Sequence, residues 1–174
     1  GLDVVDYDGK PKTVSVELKP SISGMGDVTV KYGGSTTAPT NMGSYAVTIE
    51  IDDTGANYTK ATITAGTLTI NAKDISGFKA IAYDQSTAMG NGNFTEPVVQ
   101  DAAGKPLEGN IVYYGYDSGP NKSFSDIVNM LKSLTTKTGV ALYYTFTPSS
   151  SNYTGSKTGE FTVTVLDIAF TVES

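Results

Sequence analysis

Oxygen-bearing side chains give this chain its most obvious capacity for chemistry, and one short segment concentrates them. Asp52, Asp53 and Asn57 lie close together in the sequence, and carboxylate and amide oxygens are the ligands that Ca²⁺ takes in proteins. The segment lacks the spacing of an EF-hand loop. Asp, Gly and Asn are also the residues that a hairpin turn requires, so a turn without metal is the alternative. We predict no cofactor, with calcium at this segment as the competing hypothesis.

The residue types that many active sites depend on are missing. The 174 residues include no histidine, cysteine or tryptophan, which excludes thiol nucleophiles, zinc sites built from Cys and His, and His-based triads. Carboxylates alone can hydrolyse glycosides, but they must form a pair in a cleft with one raised pKa. Here the carboxylates fall at turns and at outward strand positions. We therefore predict no catalytic residues and no enzymatic activity.

The 11 tyrosines raise a binding hypothesis, since sugars stack on flat exposed rings. If Val112, Tyr114 and Tyr116 face inward, then Tyr113 faces outward, and the same alternation turns Tyr143 outward. Tyr113 and Tyr143 would then form a ligand-binding platform on one domain. The alternative is that one or both rings pack against a helical insert or a neighbouring domain.

Alternation of apolar and polar residues predicts half-buried β-strands through residues 1–72. Gly-rich and Asp/Asn-rich turns separate the segments, and nothing in this part has helical periodicity. The apolar positions of the three clearest segments are Val14, Val16 and Leu18, then Val28, Val30 and Tyr32, then Tyr45, Val47, Ile49 and Ile51.

A strand, a loop containing Asn-Tyr-Thr and a closing strand occur twice. The first copy uses Asn57-Tyr58-Thr59 and the second uses Asn152-Tyr153-Thr154. The apolar face of the strand also recurs, because Val140, Leu142, Tyr144 and Phe146 occupy the positions of Tyr45, Val47, Ile49 and Ile51. Repeats of this length are typical of modules in series. We predict two all-β domains, 1–72 and 73–174.

One segment of the second domain has helical rather than strand periodicity. Ser123 can cap a helix whose first turn contains Asp126, and the apolar residues that follow form one stripe at helical spacing, namely Phe124, Ile127, Val128, Leu131 and Leu134. We predict a helical insert near 123–134 that closes its own domain. A docking role for the helix is the alternative.

Three phrases of the first domain resemble the bacterial MBG/YDG-type repeats. The resemblance covers about residues 3–71, and a later segment, Gly139 to Val165, is similar to related but more divergent Ig-like repeats of bacterial surface proteins. The three phrases are Tyr7-Asp8-Gly9-Lys10, Val30-Lys31-Tyr32-Gly33-Gly34, and Ala38 to Thr48 continuing to Asn57-Tyr58.

This resemblance implies an all-β fold of two tandem Ig-like β-sandwich domains, the second with the helical insert. Ig-like sandwiches often place a tyrosine just after a turn, with its hydroxyl bonded to nearby backbone. Tyr45 fits that role, and Gly43 would allow the sharp turn before it. We assign both a structural function.

The resemblance also implies a non-catalytic spacer or adhesion segment of a larger exported protein at the bacterial cell surface. The start at Gly1-Leu2-Asp3 agrees with an excised fragment. Two alternatives stay open: a glycan- or mucin-binding module that uses exposed tyrosines, and an accessory domain of a secreted glycan-degrading enzyme.

The expected partners are a host or dietary glycan, a surface protein, and neighbouring Ig-like domains of the same chain. The net charge of −6 disfavours nucleic acid, and no segment has the length of apolar sequence that a membrane helix needs.

Overall fold

A computed structural model describes residues 2–17, 24–53, 59–115 and 121–167 of the chain. The chain divides after Lys73 into two compact units, close to the predicted boundary. The described part is built mainly from strands, with one helix.

The first unit contains a four-stranded sheet in the order β1-β4-β3-β2. Strands β2, β3 and β4 are antiparallel neighbours, whereas β1 is parallel to β4. The core on one face of this sheet includes the buried Tyr32, Val47 and Leu68. The strand bounds are β1 (Val4–Asp6), β2 (Val28–Tyr32), β3 (Gly43–Ile51) and β4 (Ala61–Asn71).

The strand predicted around Val14 is wrong as far as the structure describes it, because residues 14–17 are not in a strand and Leu18 lies outside the described residues. The Val14 N–H donates to the hydroxyl of Tyr32 at 2.7 Å, and the Val14 side chain packs on the core. A side-chain acceptor and an apolar contact thus satisfy this segment without a partner strand.

The described part of the second unit has its own four-stranded sheet, in the order β7-β12-β10-β9, and two smaller two-stranded sheets. Strand β5, which begins at the last residue of the first unit, pairs with β11, and β6 pairs with β8. The elements are β5 (Lys73–Asp74), β6 (Lys79–Ile81), β7 (Gln85–Ala88), β8 (Val98–Gln100), β9 (Gly109–Tyr114), α1 (Phe124–Ser133), β10 (Thr138–Pro148), β11 (Tyr153–Thr154) and β12 (Lys157–Leu166).

Alternation along β10 and β12 sorts their side chains onto two faces, as a strand geometry of period two requires. The inner face carries the core, and helix α1 covers part of it by burying Ile127 and Leu131 there. The predicted all-β chain of tandem sandwich domains, with a short helix in the second, is confirmed. The inner-face residues of the two strands are Val140, Leu142, Tyr144, Phe146, Phe161, Val163 and Val165.

Helix α1 begins with a capping box. The Asp126 N–H donates to the Ser123 hydroxyl at 3.3 Å, and the Ser123 N–H donates to the Asp126 carboxylate at 2.8 Å. Two backbone donors that helical bonding leaves unpaired are thereby satisfied. The predicted cap at Ser123 is confirmed.

The same box makes the helix sensitive to acid. Hydrogen bonds from the Ser123 hydroxyl and then from the Ser123 N–H hold the pKa of Asp126 below its ordinary value. A depressed folded-state pKa contributes stability that is present above the unfolded-state pKa and is lost as pH falls through the folded-state pKa. We expect Asp126→Asn to lower the melting temperature at neutral pH but to flatten its decline in acid. Melting curves at stepwise lower pH would show this, with Glu108→Gln, at an exposed position, as the control. An unchanged acid profile in Asp126→Asn would contradict it.

Candidate functional site

A shallow groove lies on the sheet β9-β10-β12 of the second unit, with a volume of about 330 Å³. Its described lining combines aromatic rings, hydroxyls and one carboxylate. No purely aliphatic side chain and no cationic side chain is among the described lining residues. The lining residues are Tyr114, Tyr143, Tyr144, Thr145, Thr158, Gly159 and Glu160.

Strand register brings the groove residues together from three separate strands. Tyr143 of β10 lies directly opposite Tyr114 of β9 on one side and Glu160 of β12 on the other. Directly opposite residues have Cβ atoms about 5 Å apart, so the two rings and the carboxylate form a row across the sheet. Thr145 and Thr158, also opposite each other, place two hydroxyls beside this row.

Tyr143 is the most accessible ring of the groove, with 49% of its surface exposed. It lies against Gly115, whose φ is +111°. A Cβ added at Gly115 would come within 3.3 Å of Cδ2 of Tyr143 and 2.9 Å of the Ala141 carbonyl oxygen. Glycine is therefore required at this position by its backbone conformation and by the close approach of the Ala141 carbonyl, with the ring of Tyr143 in tight contact beside it. Since Tyr143 is half exposed, its predicted outward orientation is confirmed.

The predicted outward orientation of Tyr113 is wrong. Tyr113 is fully buried in the core of the second unit, where its hydroxyl donates to the Glu96 carboxylate at 2.8 Å and its ring meets Phe94 edge-on at a centroid distance of 5.7 Å. Burial first, and then the hydrogen bond to Glu96, raises the pKa of Tyr113. The ring cannot take part in a surface platform.

The physical reason is a difference of one residue in strand register. The sequence pattern equates Tyr114 with the inward Tyr32 of the first unit, but β9 places Tyr113 opposite the buried Tyr144. A slip of one residue exchanges the two faces of a strand. Tyr114 therefore replaces Tyr113 as the neighbour of Tyr143. The sequence reasoning also missed Thr158 and Glu160 of the groove. Their alternation with Phe161 and Val163 along β12 could have identified them as outward-facing residues.

Tyr45 and Gly43 form a compact feature at the start of β3. The Tyr45 hydroxyl donates to the Asn41 carbonyl oxygen at 2.9 Å, which is the geometry of a tyrosine corner. Gly43 has a φ of +154°, and a Cβ there would lie 3.2 Å from the Tyr45 hydroxyl oxygen. The absent side chain leaves room for the ring to fold back over the turn.

Removing the Tyr45 hydroxyl tests this corner. We expect Tyr45→Phe to lower the free energy of unfolding of the first unit by about 1 kcal/mol, because the Asn41 bond is lost while the ring stays. Urea unfolding measures the change. Tyr83→Phe, at a tyrosine that is 69% exposed, is the matched control and should change stability much less. Equal effects in the two variants would show that the Asn41 bond contributes no stability.

The candidate calcium ligands are only partly described. Asp52 and Asp53 follow β3 at exposed positions, and the Asp52 N–H donates to the Asp27 carbonyl oxygen at 3.0 Å. Asn57 lies outside the described residues. Across the described ranges, no group of three or more acidic residues is placed to hold a metal ion. The absence of a cofactor stays a prediction, and calcium at this segment stays its alternative.

Comparison with known proteins identifies the first unit. Residues 3–74 match the family described as the MBG domain, so this part of the chain is an MBG-type repeat, as the resemblance predicted. The relation of the second unit to Ig-like repeats stays a prediction. No curated protein matches the chain.

Among solved structures, the chain is similar to the crystal structure of Drosophila N-cadherin EC1-3 at 12% sequence identity and a TM-score of 0.32. The alignment covers 95% of this chain and 64% of that chain, so the protein spans less than two thirds of the length of that structure. Within the described residues, no helix has the length and apolar character needed to cross a bilayer.

Proposed function

We propose, from the premise that residues 3–74 are an MBG-type repeat, that this chain is a non-catalytic structural segment of an exported bacterial surface protein. In that role it carries tension between the domains on either side of it. Two compact β units in series suit a spacer, because each unit has its own core and can stay folded independently of the other.

The parallel pairing of β1 with β4 is the observation that carries this proposal. β1 is the first strand of the first unit and β4 is its last long strand, with Val4 opposite Thr69 and Asp6 opposite Asn71. Force applied through the chain enters near β1 and leaves after β4. The chain pulls β1 at its N-terminal end and β4 at its C-terminal end. In a parallel pair these two ends lie at opposite ends of the ladder, so the force shears the ladder and its hydrogen bonds share the load. An antiparallel pair loaded at the same end would instead break one bond at a time.

Two hydrogen bonds made by the residues that flank β1 define which positions carry this load. The Tyr7 N–H donates to the Asn71 carbonyl oxygen at 2.9 Å, and the Thr69 N–H donates to the Asp3 carbonyl oxygen at 3.4 Å. In a parallel ladder, alternate residues of a strand bond to one neighbour. Asp3 and Tyr7 therefore belong to the bonding set. Val4 falls in the alternate set, whose N–H groups point away from β4 in this register.

Single-molecule pulling on the whole chain, held at its two ends, tests the proposal. The chain has no cysteine, so one cysteine added beyond each end gives unique attachment points. We expect Tyr7→Pro to lower the unfolding force of the first unit, because proline removes a bonding N–H. The second unit is the internal control and should unfold at an unchanged force, and Val4→Pro should leave both forces unchanged. Forced unfolding depends on the unfolding barrier. Equal forces for Tyr7→Pro and the original chain would refute the tension-bearing role.

A further inference from the structure

We propose that the groove on β9, β10 and β12 is a binding site for a neutral saccharide. The inference is independent of the tension-bearing role, because it concerns the second unit and rests on different residues. Tyr143 and Tyr114 supply the apolar surface, and Glu160, Thr145 and Thr158 supply the hydrogen-bonding groups.

The composition of the site suits a sugar ring. The two tyrosines lie side by side on neighbouring strands and open to solvent instead of enclosing a cavity. A pyranose has a broad C–H face that packs flat on an aromatic ring. The hydroxyls around the edge of the pyranose donate and accept hydrogen bonds. A row of rings beside a carboxylate and two hydroxyls offers both kinds of contact on one face of the sheet.

Charge narrows the class of saccharide. Glu160 lies directly opposite Tyr143 and is exposed, so its carboxylate is a ready acceptor for sugar hydroxyls. The same carboxylate, on a chain with a net charge of −6, repels sialylated or sulfated sugars. No cation among the described lining residues offsets that repulsion.

Two protein occupants fit the groove less well. An apolar peptide side chain would find no aliphatic pocket among the described lining residues. A basic side chain would meet Glu160 and the rings, but recognition of cations by aromatic residues gains most where the cation is desolvated. This site is open, so a cation bound there would stay hydrated. A saccharide therefore makes favourable contacts with more of the lining residues than an apolar or a basic peptide side chain does.

Titration of the whole chain with neutral oligosaccharides tests the assignment. The probes are maltohexaose, cellohexaose, mannohexaose and chitohexaose, with sialyllactose and a short arginine-rich peptide as competing arms. NMR chemical shifts and calorimetry at up to about 10 mM ligand detect dissociation constants in the millimolar range. We expect at least one neutral hexasaccharide to bind and to shift resonances of Tyr143 and Glu160, and sialyllactose not to bind.

Variants separate groove binding from other contacts. Tyr143→Ala should weaken the bound hexasaccharide about tenfold, the loss expected for a favourable aromatic contact, and Glu160→Ala should weaken it several-fold. Tyr83→Ala is the matched control, since Tyr83 is an exposed tyrosine outside the described groove lining. The affinity of this variant for the hexasaccharide should be unchanged. Circular dichroism verifies that each variant is folded.

The proposal is overturned by any of three results: no hexasaccharide binds, binding survives both groove substitutions, or the arginine-rich peptide binds more tightly than every neutral sugar. None of these results bears on the unfolding force of the first unit. The two proposals can therefore fail separately.

Discussion

Replacing Leu142 with alanine is expected to destabilise the second unit by about 2–5 kcal/mol. Leu142 has no exposed surface and belongs to the core that β9, β10, β12 and α1 share. The substitution removes buried apolar surface and leaves a cavity that the tightly packed surroundings fill only in part. For a unit of roughly 100 residues, each kcal/mol shifts the melting temperature by about 4–8 °C. Calorimetry of the full chain measures the shift directly.

Tyr143→Ala is the matched control for this prediction, because it changes the adjacent residue on the same strand. Tyr143 is half exposed, and its nearest partners in the strand register are Tyr114 and Glu160. Losing such a cross-strand contact costs about 1 kcal/mol or less, although the side chain removed is larger than that of leucine. Equal destabilisation by the two substitutions would contradict the assignment of the two faces of β10.

Leu131→Ala is expected to have the second large effect, also about 2–5 kcal/mol. Leu131 is fully buried, and its side chain joins the same core as Val140 and Val163. A ten-residue helix is marginal on its own in water, so its stability comes mainly from packing of its apolar face. Truncating the Leu131 side chain should therefore weaken the helix and, at the same time, expose the inner face of the sheet.

Asn129→Ala tests whether that effect comes from the buried face of the helix. Asn129 is exposed on the same helix, and alanine has the higher helix propensity, so stability should stay the same or rise by a few tenths of a kcal/mol. Hydrogen exchange of the α1 amides, measured beside calorimetry, should show faster exchange in Leu131→Ala alone. Unchanged stability in Leu131→Ala would mean that α1 does not complete this core, which would favour the docking role that the sequence left open.

Helix α1 and strand β10 were predictable because their signals are local. The Ser123 cap and the stripe that includes Ile127 and Leu131 identify a helix by spacing alone, and the buried face of β10 follows from its alternation. In both elements, the residues that contact each other or share a face lie within a few positions in the chain. The same alternation also placed Tyr143 on the surface.

The orientation of β9 was not predictable in the same way. Apolar and aromatic residues occupy successive positions from Ile111 to Tyr114, so the segment reads equally well with either face inward. Pairing with β10 and the hydrogen bond from Tyr113 to Glu96 select one orientation. The candidate site changed for this reason, with Tyr114 replacing Tyr113 beside Tyr143.

The amino-acid sequence by itself determined the all-β character, the repeated strand pattern and the position of the helix, because propensity and periodicity act between near neighbours. Only the tertiary structure decided the parallel pairing of β1 with β4 and of β7 with β12, and the row formed by Tyr114, Tyr143 and Glu160. Those contacts join strands far apart in the chain. Their register is set by which faces can be buried together, and no local pattern encodes that choice.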